Sequence, residues 1–415
     1  MALPGVSAQL SMRAPQDDYI LDVDGNSIWK TEYPKFTNFV ICEQRHTFQN
    51  PGFNRDNINC QLDKNCDLMY SFGLEVIAPR ITYTGGYDLT TTPPSAAAYV
   101  DGFGYTMIER VKFTASSREH FNHPGEIMHL MTSFRNDNKK YLNELNGYGN
   151  FLSRVRRAQN QQIFMTEIDT PFSSPNKALV VSALYWTDLI FTFSFKSIAN
   201  LIESKGGATY TVPSENDFKM YMITENVYLD EMESNMFVES KHTYLGLHIQ
   251  YLGPVIHTST QTIQDINIKF SNPIYELIWV CQQDTHVTNK DYFNYSGVPE
   301  GVPDLQPRDP FERAQIKFNN SERTLNNYAI FYRLREPRRT HTTLPDGYIY
   351  TYPFSPAPED ANAYALGTAN FSRYDQATLT LDFGTQSWNG TTRVYALGFN
   401  FWKIENGGLS KLYGP

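Results

Sequence analysis

Three histidines, His120, His123 and His129, fall in one short stretch, and imidazole is the side chain best suited to bind a metal or move a proton near neutral pH. A zinc site would need further ligands at a matching spacing. No Cys or carboxylate completes such a set, and the first two histidines flank a helix begun by Pro124, so all three are read as structural. Cys60 and Cys66 lie close together in a polar stretch, but no second pair stands at zinc-like spacing. With Cys42 and Cys281 they make four cysteines in 415 residues, too few to staple such a chain, and free thiols are expected. Asp22-Val-Asp-Gly-Asn26 pairs two acids, yet its Gly is misplaced for a calcium loop and no bidentate Glu follows, so a tight turn is the better reading. The chain has no Gly-x-Ser-x-Gly elbow, no Gly-x-x-x-x-Gly-Lys phosphate loop and no His-Glu-x-x-His pair. No catalytic residue, cofactor or metal ligand is assigned, and an enzyme is not expected.

The charges point the same way. A net charge of −9 and a pI near 5.5 oppose general attraction to nucleic acid phosphates, so no direct nucleic acid binding is expected. Two basic clusters, Arg154-Val-Arg-Arg157 and Arg333-Leu-Arg-Glu-Pro-Arg-Arg339, stand out against this background. They are read first as a solvated loop or local ion pairs, and second as contacts to acidic subunits or a minor component. Neither cluster interleaves aromatic residues as a single-strand binder does. Sequons occur at Asn294, Asn319, Asn370 and Asn389; without a signal peptide at Met1 they are read as chance.

The elements that would position these residues are mostly strands. Twenty-seven Tyr and 27 Phe, set among 25 Gly and 23 Pro, suit short strands separated by many turns and make an all-β chain the first expectation. No run reaches the roughly 18 apolar residues of a membrane helix, so a soluble chain made in the cytosol is expected. Residues 1–28 lack periodicity and carry Pro4, Pro15 and Asp17-Asp18, which reads as an extended arm. β-rich runs follow at 39–48, 68–76, 107–115, 179–185, 189–195, 221–229, 243–251, 263–270, 276–281, 314–318, 348–354, 377–382 and 393–401. Helix is expected over His123–Phe134, where Ile127, Leu130, Met131 and Phe134 form one stripe, and is permitted over 138–157. A further short helix should begin at Asp230, with Glu233 three residues on. The pattern lapses at Lys205-Gly-Gly and Pro213-Ser-Glu, giving domains of 29–213 and 214–415 after the arm. The long insertion 284–310, with Gly and Pro clustered between Gly297 and Pro303, is uncommon in a compact domain unless it is functional.

Particular motifs then narrow the reading. Gly367-Thr-Ala-Asn-Phe-Ser-Arg-Tyr-Asp-Gln-Ala-Thr-Leu-Thr-Leu381 places a Gly turn and a polar corner before an alternating strand. Ahead of it, in order, come Trp29-Lys-Thr-Glu-Tyr-Pro-Lys-Phe-Thr-Asn-Phe39, Met107-Ile-Glu-Arg-Val-Lys-Phe113, His123-Pro-Gly-Glu-Ile-Met128 and Asn272-Pro-Ile-Tyr-Glu-Leu-Ile-Trp-Val280. Thr392-Arg-Val-Tyr-Ala396 through Gly407-Gly-Leu409 closes the series. This ordered set resembles the major capsid proteins of nucleocytoplasmic large DNA viruses, the phycodnavirus, iridovirus and asfarvirus group.

The resemblance implies two consecutive eight-stranded antiparallel jelly rolls with short helices in loops, and places Trp279 in the core of the second. It implies a structural protein of the virion, made in the host cytoplasm, whose homotrimer has a pseudo-hexagonal outline and tiles an icosahedral shell around a DNA genome. The implied partners are its own copies, neighbouring capsomers, minor capsid proteins and, through the arm, an inner membrane-associated layer; in such a protein the 284–310 insertion would form a tower on the outer face or clasp a neighbour. The alternatives are a jelly-roll scaffold protein of immature virions and a carbohydrate-binding β-sandwich.

Overall fold

Alternation of apolar and polar side chains is clearest in Leu189–Phe195, Leu-Ile-Phe-Thr-Phe-Ser-Phe, whose odd positions are buried and even positions half exposed. Such a strand needs a second sheet to cover its apolar face. The structure, a computed structural model, describes residues 4–12, 36–135, 139–298, 306–359 and 366–414 and supplies that second sheet twice over. The chain divides into Met1–Asn38 and Phe39–Pro415. In the first unit the described residues include helix α1, Pro4–Ser11, opened by a proline in its first turn. An extended conformation was expected there. The remainder of the 1–28 arm, and the Trp29–Lys35 part of the first motif, lie outside the described residues.

The second unit begins with eight principal strands: β1 (Phe39–Thr47), β2 (Arg55–Gln61), β3 (Leu68–Ala78), β4 (Ile108–Ala115), β5 (Arg118–His123), β6 (Gln162–Ile168), β7 (Leu189–Phe195) and β8 (Lys219–Leu229). They form two antiparallel sheets ordered β1-β8-β3-β6 and β2-β7-β4-β5. Eight more follow: β9 (His242–His257), β10 (Ile263–Asn267), β11 (Pro273–Gln283), β12 (Arg313–Phe318), β13 (Ser321–Glu322), β14 (Tyr350–Pro353), β15 (Ala377–Asp382) and β16 (Gly390–Glu405). Their sheets run β9-β16-β11-β14 and β10-β15-β12-β13, the first order repeated with eight added to every number. The protein is therefore all-β with two jelly rolls in succession, and short accessory strands such as Leu179–Val180 and Ala369–Asn370 extend the sheets.

The boundary drawn at 213/214 needs correction. Lys219–Leu229 was assigned to the second half, but β8 inserts between β1 and β3, pairing Phe39 with Leu229 and Lys219 with Ile77. The lapse at Gly206-Gly207 is a turn inside the β7 to β8 connection, where both glycines hold positive φ, 63° and 71°. Its flanks pair back on the same roll, Ile202–Lys205 with Ala96–Tyr99 and Thr209–Thr211 with Thr82–Gly85.

Helices occupy the connections. Between β5 and β6 lie α2 (Gly125–Arg135), α3 (Lys139–Leu145) and α4 (Phe151–Ala158), the last capped by Asn150, whose side chain accepts from Ser153 N at 2.9 Å. The stripe expected on α2 is buried as read: Ile127, Leu130, Met131 and Phe134. Between the rolls runs α5 (Glu231–Glu239), capped by Asp230.

One strand explains how the rolls join. Every residue of β11 from Ile274 onward is buried, so its near-continuous apolar run serves two cores at once. Ile274, Leu277, Trp279 and Cys281 enter the interior of the second roll, while Tyr275, Ile278 and Val280 face the core shared with the first. β16 does the same, with Val394 and Ala396 inward and Tyr395, Leu397 and Phe399 toward the first roll. Burying each such side chain contributes about 1.5–3 kcal/mol, so the joint is a packed interior and not a hinge.

Candidate functional site: the joint and the surfaces around it

The residues singled out for chemistry do not converge. His120 lies on β5 against the Ala115 carbonyl at 3.2 Å, and His123, at the end of β5, stacks on Phe121 with neither ring nitrogen hydrogen-bonded. His129 lies on α2, hydrogen-bonded to the Tyr148 hydroxyl and stacked on Phe293 at 3.8 Å. Burial pushes all three imidazoles down to about 4, which keeps them neutral. Among the described residues no group of three His, Cys, Asp or Glu side chains is arranged to hold a metal. The four cysteines are free; burial pushes Cys60, Cys66 and Cys281 up to about 12, which makes them inert thiols.

The basic clusters are mostly consumed internally. Arg154, read as part of a solvated loop or local pairs, is buried: it donates to Glu203 Oε2 at 2.9 Å, to the Tyr99 carbonyl at 2.7 Å and to the Gly149 carbonyl at 2.9 Å. Arg333 pairs with Asp309 at 2.8 Å and Arg339 with Glu336 at 2.7 Å, while Arg335 and Arg338 are exposed. Of the sequons, Asn319, Asn370 and Asn389 are exposed and Asn294 is partly buried.

The insertion after β11 is a clasp within one chain as far as it is described, residues 299–305 lying outside. Lys290 Nζ donates to the Ala199 and Ile202 carbonyls at 2.6 and 2.7 Å, and Tyr292 to the Asn200 carbonyl at 3.1 Å. Its aromatic residues supply apolar area to bury, so the segment lies on the first roll instead of rising from the second.

At the centre of the joint, Glu126 in the first turn of α2 receives a bidentate contact from Arg393 of β16, with both N–O distances 2.6 Å. Tyr295 donates to the same carboxylate at 2.8 Å, Tyr395 adds another hydroxyl, and Arg393 also reaches Gln282 Oε1 at 2.7 Å. Burial alone would raise the Glu126 carboxyl, but the Arg393 charge and the three donors hold it below the ordinary range. Nearby, His341 donates to Glu276 Oε1 at 2.7 Å and packs on Phe134 of α2. These groups fix two bodies rigidly; they bring no nucleophile to a general base.

Two rolls of identical strand order, fused through a buried face, define the double jelly-roll class. Family models agree with that division, "Major capsid protein N-terminus" matching residues 27–230 and "Large eukaryotic DNA virus major capsid protein" matching 233–409. The break between them falls at α5. The chain belongs to the major capsid proteins of large eukaryotic DNA viruses. It is 22% identical to the major capsid protein of Paramecium bursaria Chlorella virus 1, over 95% of this chain and 91% of that one. It is also 22% identical to the major capsid protein of Pyramimonas orientalis virus, over 96% of both chains. Among solved structures, PBCV-1 VP54 matches with a TM-score of 0.77 at 18% identity, covering 94% of this chain and 100% of that one. The Faustovirus major capsid protein matches with a TM-score of 0.69 at 11% identity, covering 97% and 96%.

Proposed function

We propose that this major capsid protein acts as a homotrimer of pseudo-hexagonal outline that tiles an icosahedral shell around a viral DNA genome. The observation that supports this reading is the repeated strand order on two rolls locked by β11 and β16, since three such blocks around a threefold axis present six similar units. Each lateral contact recurs many times in a shell, so modest affinities suffice. The role requires no catalysis and no contact with nucleic acid. The protein would be made in the host cytoplasm and reside in the virion, with its own copies, neighbouring capsomers and minor capsid proteins as partners and residues 1–28 reaching an inner layer. We take the domain limits as 39–229 and 242–414, with α5 between them. Light scattering of the purified chain should give the mass of three 47.7 kDa subunits, and electron microscopy should show hexagonal capsomers. A stable monomer at micromolar concentration overturns the trimer.

A further inference from the structure

A cleft of about 800 Å³ opens where β5 of the first roll packs against β9 of the second, and the ion pair that locks the joint takes no part in it. One wall carries Arg110 of β4 with Glu119 and His123 of β5; the other carries His248 of β9, Lys269 and Lys411. Both walls are fixed by the fold. Gln250 of β9 holds the β10 to β11 connection, donating to the Ser271 carbonyl at 2.5 Å and accepting from the Ser271 amide at 2.9 Å. Lys411 stands opposite Trp402 on the closing strand Gly408–Lys411, and Asn400 anchors the chain beyond it by donating to the Tyr413 carbonyl at 2.7 Å.

The cleft is lined by buried polar groups that nothing in the chain satisfies. His248 is 5% exposed and His123 2%; Nδ1 of the first and both ring nitrogens of the second lack a hydrogen-bond partner among the described residues. Burial, with the Lys411 charge added, keeps His248 neutral, and a neutral imidazole still has one N–H to donate. Leaving such a donor unpaired is costly.

Three cations line the same space. Among the described residues Arg110, Lys269 and Lys411 form no ion pair. Of the two lining carboxylates, Asp375 is exposed, and Glu119 is drawn to Lys112 at 3.5 Å while accepting from Asn122 Nδ2 at 3.3 Å. Lys411 is half-buried, and burial lowers its proton affinity by more than Glu119 restores. An anion in the cleft would offset both deficits at once.

We propose that the cleft binds a phosphate-class oxyanion, with Arg110, Lys269 and Lys411 supplying charge and His248 a hydrogen-bond donor. The cations stand on three separate elements, which suits a tetrahedral group with oxygens pointing several ways better than a planar carboxylate. A neighbouring copy could satisfy the site only by inserting an acidic side chain, and such a copy would block phosphate. The free ion and the phosphate of a lipid headgroup share this chemistry; the depth of His248 favours the free ion.

The test is calorimetric titration of the full chain with inorganic phosphate at constant ionic strength. Binding should be saturable, one ion per subunit, and should raise the melting temperature where chloride does not. Lys411→Gln, and separately Lys269→Gln, should weaken binding by about tenfold or more. Lys219→Gln, an exposed control on β8, should not. His248→Gln, which keeps a donor, should bind more tightly than His248→Leu. Lys269 is exposed, so its variant keeps the test decisive even where a substitution at Lys411 or His248 does not fold. Phosphatidic acid vesicles that bind through the same two lysines would support the site and make the headgroup its source; vesicles that do not bind leave the free ion. No saturable phosphate binding, a response that chloride reproduces, or affinity unchanged in both lysine variants overturns the proposal.

Discussion

Glu126 and Arg393, 267 positions apart in the chain, meet through two contacts of 2.6 Å across the joint between the rolls. The pair is largely enclosed and every lone pair of the carboxylate has a donor nearby, from Arg393, Tyr295 or Tyr395. Such a pair is costly to break because the surviving charge stays buried.

Glu126→Gln should therefore lower stability by about 3–5 kcal/mol, read as a shift in denaturant midpoint without a change in slope. A loss below about 1 kcal/mol, typical of exposed pairs, would mean the joint is open to water.

Acid should weaken the fold in a defined order. His120, His123, His129 and His248 are buried and held near 4, below their unfolded value of about 6.5, so unfolding takes up protons as pH falls between those values. Glu126, held below its unfolded value of about 4.3, adds its own loss only under that pH. The melting temperature should fall from about pH 6.5 to about 4, where the four imidazoles are protonated in both states and their contribution levels off, leaving the Glu126 loss below that. A flat profile from 7 to 4 would contradict the burial of these rings.

His341 should act in the opposite direction. Burial lowers its affinity for a proton, but Glu276 and Glu359 more than offset this and raise it above the ordinary value. Its contribution is fully present below about 6.5 and is lost as pH rises through the raised folded value. In His341→Gln this alkaline loss should disappear, which a comparison of melting temperatures at pH 6 and 9 will register.

Trp279 is fully buried between Tyr332 and Tyr350, with ring centroids at 5.1 and 6.0 Å. Truncation to Ala should cost about 3–5 kcal/mol by transfer loss and cavity formation. An unchanged melting temperature would place the ring outside the core.

Where side-chain patterning follows burial, the sequence could be read directly: β7 and β15 have the limits expected from their alternation. β6 escaped because its pattern is inverted in part, with Ile163 and Met165 outward and Thr166 inward. β2 escaped because it is polar and Asn57 takes a positive φ of 60°. The run 179–185 looked like a strand, but only Leu179 and Val180 pair, after which the Val181 and Ser182 amides both turn to the Asp67 carbonyl. The joint was not legible at all, since Glu126 and Arg393 carry no spacing relation and meet only once both rolls have formed. Trp279 was legible because it sits in the unbroken apolar run Leu277–Cys281, although the second core on the other face of β11 was not anticipated.

The order of strands within each sheet has a consequence for synthesis. β8 and β16 come last in their rolls, yet each is central, lying between two strands made far earlier. While the chain emerges from the ribosome, β9 has no neighbour to pair with, and β11 has only the short β14, until β16 is delivered at the very end of translation. Their open edges and the doubly apolar face of β11 are exposed for that interval, the situation in which nascent chains associate wrongly. A ribosome-stalled or truncated product ending before Gly390 should therefore be aggregation-prone and bind chaperones, however stable the finished block is.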